Sequence, residues 1–242
     1  MNQNQIRELQ EILDEGKRIV FFTGAGVSTE SGIPDFRSQD GLYHQSYQYP
    51  PETIISHSFF MQNTSEFYRF YKDRMLFLDA KPNATHTFIA KMEETGRSLG
   101  VITQNIDGLH SLAGSKHVYE LHGSVHRNYC MKCHTFYPLE TIVESQGIPT
   151  CKCGGIIKPD VVLYEEPLDA KVTVGAIEAI KRADVLVVLG TSLVVYPAAG
   201  FLNYFHGEKL VLINRDATTY DAMADLHIQG NLKDVFPHLQ VR

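Results

Sequence analysis

Short apolar runs alternating with stretches of helical periodicity predict an α/β protein built on a doubly wound parallel sheet. Residues 19–22 and 185–189 are apolar at consecutive positions, the pattern of strands buried on both faces. The first of these runs leads straight into Gly24-Ala25-Gly26, at the strand end where open parallel sheets bind ligands.

Taken in order, Ile6, Leu9, Ile12 and Leu13 recur at helical spacing, and Gly16 stops that helix. Residues 19–22 form the first strand. Past the glycines, residues 27–31 are expected to open a helix whose free N–H groups and positive dipole end face whatever the glycines cradle. Residues 52–79 are aromatic-rich and broadly helical, with Phe59, Phe60, Phe67, Tyr68, Phe70 and Tyr71 read as packing. Pro82-Asn83 sets a boundary, and Asn83 or Thr85 caps a helix through Met92 that ends near Gly96. Strands follow at 99–103 and 118–121, then a cysteine-bearing segment and a short apolar stretch at 161–164. A helix at 172–182, a strand at 185–189, a helix at 197–205 and a strand at 210–214 come next. A short strand at 226–228 and a terminal helix from about Leu232 close the chain. Residues 38–81 and 124–159 interrupt the sheet-forming halves.

Gly-x-Gly at a strand end is the start of a nucleotide pyrophosphate site, although many such turns only join a strand to a helix. The stretch departs from the dinucleotide fingerprint. Thr29 stands where a third glycine is expected, and no carboxylate ends a second strand about 20 residues on. No Gly-Lys-Ser/Thr follows, so it is not a P-loop. Both departures argue against an ordinary hydride-transferring dehydrogenase. Gly32-Ile33-Pro34-Asp35-Phe36-Arg37-Ser38 instead places a carboxylate, an aromatic face and a guanidinium in succession.

The 242 residues, 43% of them hydrophobic, suit one large domain or a domain with a smaller one inserted. A net charge of −6 argues against a nucleic-acid-binding protein that relies on a basic face and suits basic, lysine-containing partners. The charged N-terminal residues leave no apolar core for a signal peptide, and no run approaches the ~18 apolar residues of a membrane span. The expected location is cytoplasmic, with no membrane partner. Cys130 and Cys133, with Cys151 and Cys153, form two close pairs near a zinc-ribbon template, the second pair one residue short of it. Tetrahedral thiolate zinc is the leading reading; two disulfides or a redox pair are the alternatives, and His134 could stand in as a ligand. With four sulfur ligands the metal would be structural, since catalysis needs an open position.

Beyond these features, the chain resembles the sirtuins, the NAD-dependent protein-lysine deacylases. The motifs are Gly24-Ala25-Gly26-Val27-Ser28, Gly32-Ile33-Pro34-Asp35-Phe36-Arg37 and Thr103-Gln104-Asn105-Ile106-Asp107-Gly108-Leu109-His110. His122-Gly123, the four cysteines, Gly190-Thr191-Ser192-Leu193 and Ile213-Asn214 follow in the family's order. The resemblance implies a Rossmann-like NAD-binding domain of residues 1–37, 82–123 and 160–242. It implies a smaller zinc-ribbon plus helical domain formed by the two insertions, residues 38–81 and 124–159, with the substrates meeting between them.

Roles for individual residues come from the same resemblance. Gly24, Ala25, Gly26, Thr29, Asp35, Phe36 and Arg37 would contact NAD, with nicotinamide beside Asp107, Ile33 and Phe36. Gln104 would hold the nicotinamide-side ribose, Asn105 that ribose or an ordered water, and Ile106 and Asp107 the carboxamide. Gly190, Thr191 and Ser192 would face the ribose-phosphate portion, Asn214 and Arg215 the adenosine ribose, and Leu232 the adenine. His122 matches the catalytic base, and a neutral imidazole suits taking a hydroxyl proton near neutral pH. His44, His57, His117, His206, His227 and His238 have no motif support and are read as surface or packing residues. An acyl-lysine peptide would add as a strand between residues 161–166 and 193–196, touching Val162, Leu163, Tyr164, Val194 and Val195.

The implied activity is transfer of an acetyl group from lysine to ADP-ribose with release of nicotinamide. Turnover of longer or acidic acyl groups and protein ADP-ribosyl transfer are the alternatives among enzymes. A non-catalytic NAD sensor or zinc-ribbon interaction module is disfavoured by the presence of His122, Asn105 and Asp107 together. The chain departs from the family at Tyr164-Glu165-Glu166, where Phe-Gly-Glu is common. Tyr71 and Arg74 have the spacing of a succinyl-lysine grip but lie too close to Pro82-Asn83, and Tyr68 takes the better-matching place.

Overall fold

The computed structural model describes residues 2–35 and 48–242. Five strands of the central sheet, β1 (Ile19–Thr23), β2 (Ser98–Thr103), β7 (Val185–Leu189), β8 (Lys209–Asn214) and β9 (Leu226–Gln229), match the apolar runs, and β3 (Val118–Glu120) completes it. The order is β3-β2-β1-β7-β8-β9, with every neighbouring pair parallel. The chain thus winds outward from β1 in one direction and resumes from β7 in the other. The crevice at the carboxyl ends of β1 and β7 is the switch point.

Alternate residues of each strand feed two apolar layers, which explains why the runs are apolar at every position. Phe21, Val101, Val187 and Val211 pack with α1 (Gln3–Glu15) and α5 (Ala84–Glu94); Val20, Phe22, Leu186 and Leu212 pack with α8 (Ala170–Arg182). Asn83 caps α5 by accepting from the Thr85 and His86 amides, while His86 Nδ1 accepts from Asn83 N. The Asn83 amide group also donates to Val27 O at 2.8 Å, tying the start of α5 to the glycine loop.

A third apolar cluster lies apart from that sheet. Here α2 (Pro51–Ile54), α3 (His57–Gln62) and α4 (Thr64–Arg74) pack on an antiparallel sheet ordered β5-β4-β6, from Phe136–Tyr137, Gly123–Cys130 and Ile157–Val161. The aromatic residues 59–71 are its core, Tyr71 stacked on Phe67 at 5.5 Å. Two further short helices, α6 (Leu109–Leu112) and α7 (Leu139–Glu144), are not marked by any sequence pattern above, and neither is most of β4.

Three expected helices take another form. Residues 27–31 make two single 3₁₀ turns, Ala25–Val27 and Thr29–Ser31, because Gly32 turns left-handed at φ 84° and Pro34 follows. Among the described residues, no long helix follows the glycines to point its dipole at them. Residues 198–204 are 3₁₀, and the expected terminal helix is two 3₁₀ turns, the second carrying Pro237. Among the described residues, no helix is long and apolar enough to cross a membrane.

Candidate active site

A cleft of about 940 Å³ opens at the switch point and runs between the two sheets. Its floor is made where the turns after β1 and β7 press together. Gly24 N donates to Leu189 O at 3.0 Å and Gly26 N to Gly190 O at 2.8 Å. A Cβ on Gly26 would stand 2.8 Å from Gly190 Cα, and one on Gly24 2.6 Å from Thr191 Cβ. The missing side chains therefore serve first the contact between two strand ends, and through it the shape of the floor.

All the sequence-predicted cofactor residues that are described line this one cleft: Gly24, Ala25, Gly26, Thr29, Asp35, Gln104, Asn105, Ile106, Asp107, His122, Gly190, Thr191, Ser192, Asn214, Arg215 and Leu232. Phe36 and Arg37 lie outside the described residues. Of the proposed peptide residues, Val162, Leu163, Tyr164 and Val195 line it too; Val194 is exposed and stands outside the lining. Asn214 is buried at the end of β8 and lines the cleft; its Oδ1 accepts from Thr191 N at 2.9 Å, which leaves its amide nitrogen without a partner among the described residues. Arg215 lies 3.7 Å from Asp35, spanning the cleft's other end.

The loop after β2 is fixed by hydrogen bonds with a readable direction. Ser28 Oγ donates to Asp107 Oδ2 at 2.6 Å, because a carboxylate can only accept, and so it accepts from Asn105 Nδ2 at 3.0 Å. That orients the Asn105 amide with its nitrogen towards Ser28. The other oxygen of Asp107 accepts from Leu109 N, and the Asp107 carbonyl lies 3.0 Å from His126 Nε2. Gln104 Nε2 donates to Thr191 Oγ1 at 2.9 Å, linking the ends of β2 and β7.

His122 leaves β3 and enters the cleft with its ring set by the backbone. Its Nδ1 lies 2.9 Å from the Gln104 carbonyl, which accepts only, so Nδ1 carries the proton and Nε2 is left with a lone pair. Burial pushes its pKa below the usual histidine value, partly offset by the Gln104 carbonyl. Near neutral pH His122 is thus an unprotonated base. Two more histidines lie nearby, His86 and His110, with ring centroids 4.7 Å apart. His110 Nε2 is 3.0 Å from Thr23 Oγ1, and burial lowers the two pKa values to about 4 and about 3 respectively.

The thiols of Cys130, Cys133, Cys151 and Cys153 gather within 4.8 Å of one another. Sγ–Sγ distances of 3.4–3.5 Å exclude the disulfide alternative, whose bond is about 2.05 Å, and suit the corners of a zinc tetrahedron about 3.8 Å on edge. Backbone amides of Lys132, Cys133 and Cys153 donate to the sulfurs, and a Cβ on Gly155 would stand 2.7 Å from Cys130 Sγ. His134 is not in the cluster, so the candidate donor set is four cysteine sulfurs.

Ser28, His86, His110 and His126 are absent from the sequence-derived site. Ser28 lies inside a quoted motif, but nothing in its spacing links it to Asn105 and Asp107. The succinyl-grip candidates are placed apart in character: Tyr68 and Tyr71 are fully buried, whereas Arg74 lines the cleft.

Comparison with known proteins agrees with this geometry. The profile of the Sir2 family matches residues 24–197. An NAD-dependent protein deacetylase of Clostridium acetobutylicum is 57% identical over 236 residues, 96% of each chain. Another from Staphylococcus aureus is 47% identical over 98% of each. A solved Sir2 structure with a p53 peptide and NAD superposes with a TM-score of 0.86 at 40% identity, covering 96% of this chain and 95% of its own. The chain belongs to the Sir2 family.

Proposed function

We propose that the protein removes acetyl groups from protein lysines with NAD as co-substrate, yielding nicotinamide and O-acetyl-ADP-ribose. The observation that carries this reading is the pairing, on one cleft, of His122 with a bare Nε2 and the Asn105–Ser28–Asp107 relay. NAD, when bound, supplies an electrophilic ribosyl carbon and a departing nicotinamide. Asp107, oriented by Ser28 and Leu109, receives the carboxamide, with Ile106 and Ile33 as apolar walls. Asn105, its nitrogen turned to Ser28, offers its oxygen to a ribose hydroxyl or an ordered water. The acyl oxygen would bond to the ribosyl carbon as nicotinamide leaves. His122 would then accept a ribose hydroxyl proton at Nε2, and the hydroxyl oxygen would attack the acyl carbon. Water would complete release of the lysine amine, with the acetyl group left on ADP-ribose. Gln104, Gly190, Thr191 and Ser192 hold the ribose-phosphate end. Asp35, Asn214, Arg215 and Leu232 hold the adenosine end, where the free amide nitrogen of Asn214 can donate to the ribose.

The peptide adds as a strand along residues 162–164 on one side and Val195 on the other. Four cysteinyl thiolates hold one zinc ion, which ties the hairpin of β4 and β5 to residues 151–153. We place the boundaries of the NAD-binding unit at 1–37, 82–123 and 160–242, and of the smaller unit at 38–81 and 124–159. The third apolar cluster supports the smaller unit over residues 54–75 and 125–157, while its Val161 and Leu163 reach past the 159 boundary. Free thiols fit a reducing compartment, and we place the protein in the cytoplasm.

The deciding experiment is incubation with an acetyl-lysine peptide and NAD, following nicotinamide release and peptide mass together. A peptide mass lower by one acetyl group, in step with nicotinamide, is the expected result. Nicotinamide release with an acetyl-retaining peptide would point to ADP-ribosyl transfer or hydrolysis instead.

A further inference from the structure

Among the described residues, three that are not glycine hold a left-handed φ: His134 beside the thiols, Leu193, and Glu165 at 75° on the rim of the cleft. Glycine adopts that conformation freely and glutamate does not. What holds Glu165 there is its own carboxylate. Its Oε2 accepts from Ser58 N at 2.9 Å and from Ser58 Oγ at 2.6 Å, in the first turn of α3.

The neighbouring backbone is fastened to the same segment. Tyr164 N donates to Ile55 O, and His57 N to Tyr164 O, both at 3.0 Å. Glu166 is also turned inward: it lies 2.8 Å from His57 Nδ1, and it accepts from Leu163 N and Lys158 Nζ. One edge of residues 163–166 is thereby occupied by residues 55–58, and the segment meets the cleft along its other side.

We propose that Glu165 is a positioning residue for the acyl-lysine peptide: by fastening its carboxylate to Ser58 it fixes the left-handed turn that shapes the docking edge of residues 162–164. This rests on the strand-addition reading above. It also means that the extra carboxylate is spent within the fold and does not select the charge of the peptide.

The test compares KM for an acetyl-lysine peptide, and NAD affinity without peptide, across substitutions at 165 and 58. Glu165→Ala keeps the backbone requirement and loses the anchor, so peptide KM should rise about tenfold, equal to about 1.4 kcal/mol. Ser58→Ala, which leaves the amide donor, should raise it about threefold, and the double substitution should be no worse than Glu165→Ala alone. Glu165→Gly, free to adopt the turn, should lose less than Glu165→Ala, and Glu165→Gln, which keeps an acceptor, should stay near wild type. NAD affinity and zinc content should change less than about twofold in all of them.

Peptide KM within twofold of wild type for both Glu165→Ala and Ser58→Ala would overturn the proposal. So would multiplicative losses in the double variant, or an equal loss of NAD affinity. A wild-type chain that does not deacetylate peptide at all overturns the deacetylase reading and this proposal with it. Insensitive variants of an active wild type overturn the proposal alone.

Discussion

Replacing Ser28 by alanine removes one oxygen that two residues of the site share. Ser28 is 1% exposed, so in the native site its hydroxyl, not bulk solvent, satisfies both neighbours. The bond to Asp107 is charge-assisted and contributes about 1.5–3 kcal/mol; the bond from Asn105 is neutral and contributes about 1 kcal/mol. In the proposed reaction both residues serve the nicotinamide end of the cleft, so the loss should appear in the transition state for nicotinamide departure. A sum of roughly 2.5–4 kcal/mol corresponds to about 10²–10³-fold in kcat/KM. The assay is steady-state deacetylation together with exchange of labelled nicotinamide into NAD, at saturating acetyl-peptide. Deacetylation and exchange should fall in parallel, because the relay acts before any proton is taken by His122. A Ser28→Ala enzyme within about threefold of wild type in both assays would refute the directional relay. Exchange untouched while deacetylation falls would mean that Ser28 acts at a later step.

His122→Ala should cut deacetylation by ~10²-fold or more while exchange falls much less, since nicotinamide leaves before a base is needed; near-wild-type deacetylation would remove His122 from that role. Cys151→Ser should lose the metal and unfold the third apolar cluster's domain, because binding of structural zinc is itself folding free energy; purified active protein with no zinc on metal analysis would contradict the thiolate site. Acetyl-lysine peptides should be turned over faster than succinyl-lysine peptides, because Tyr68 and Tyr71 are fully buried and cannot reach a distal carboxylate; the reverse order in kcat/KM would refute it. His86 and His110, folded with pKa values near 4 and 3, bind protons in the unfolded chain from about pH 6.5 downward. Their contribution is therefore whole above pH 6.5 and lost as pH falls towards 4, with a slope of at most about 2.7 kcal/mol per pH unit for two protons; urea unfolding that gives a flat stability between pH 6.5 and 5 would exclude their burial as neutral rings.

The parallel sheet was legible because burying both faces leaves a chemical trace at every position. Phe21 and Phe22 go to opposite layers, and both must be apolar. The same reasoning failed where a segment's shape is set by neighbours far along the chain. β4 carries Ser124, His126, Arg127 and Asn128, a polar run with no strand signal, yet it is held by β6 on one side and β5 on the other. Arg127 is balanced there between Glu120 and Asp160, partners that no local periodicity could name. At residues 27–31 the place just after a strand-end glycine turn pointed to a helix, but Gly32, Pro34 and the side-chain bond of Thr29 to Gly26 O close the turns instead.

At the site, motifs located residues without explaining their chemistry. The glycines after β1 read as room for a ligand, yet the atoms their missing side chains admit belong to Gly190 and Thr191. That contact is what makes β1 and β7 neighbours at the switch point, so the two motifs form one floor though 166 residues separate Gly24 from Gly190. The same holds for the base. His122 alone is one histidine among 11, and its chemistry is decided by the Gln104 carbonyl, which belongs to a motif 18 residues earlier. A carbonyl that can only accept puts the proton on Nδ1, and the lone pair that remains on Nε2 is what the cleft can use. The reactivity of this site is therefore a property of the two strand ends β2 and β3 lying side by side, in register from Val101 against Val118 to Thr103 against Glu120. A change that shifts that register would draw the Gln104 carbonyl away from Nδ1 and so remove what fixes the tautomer of His122.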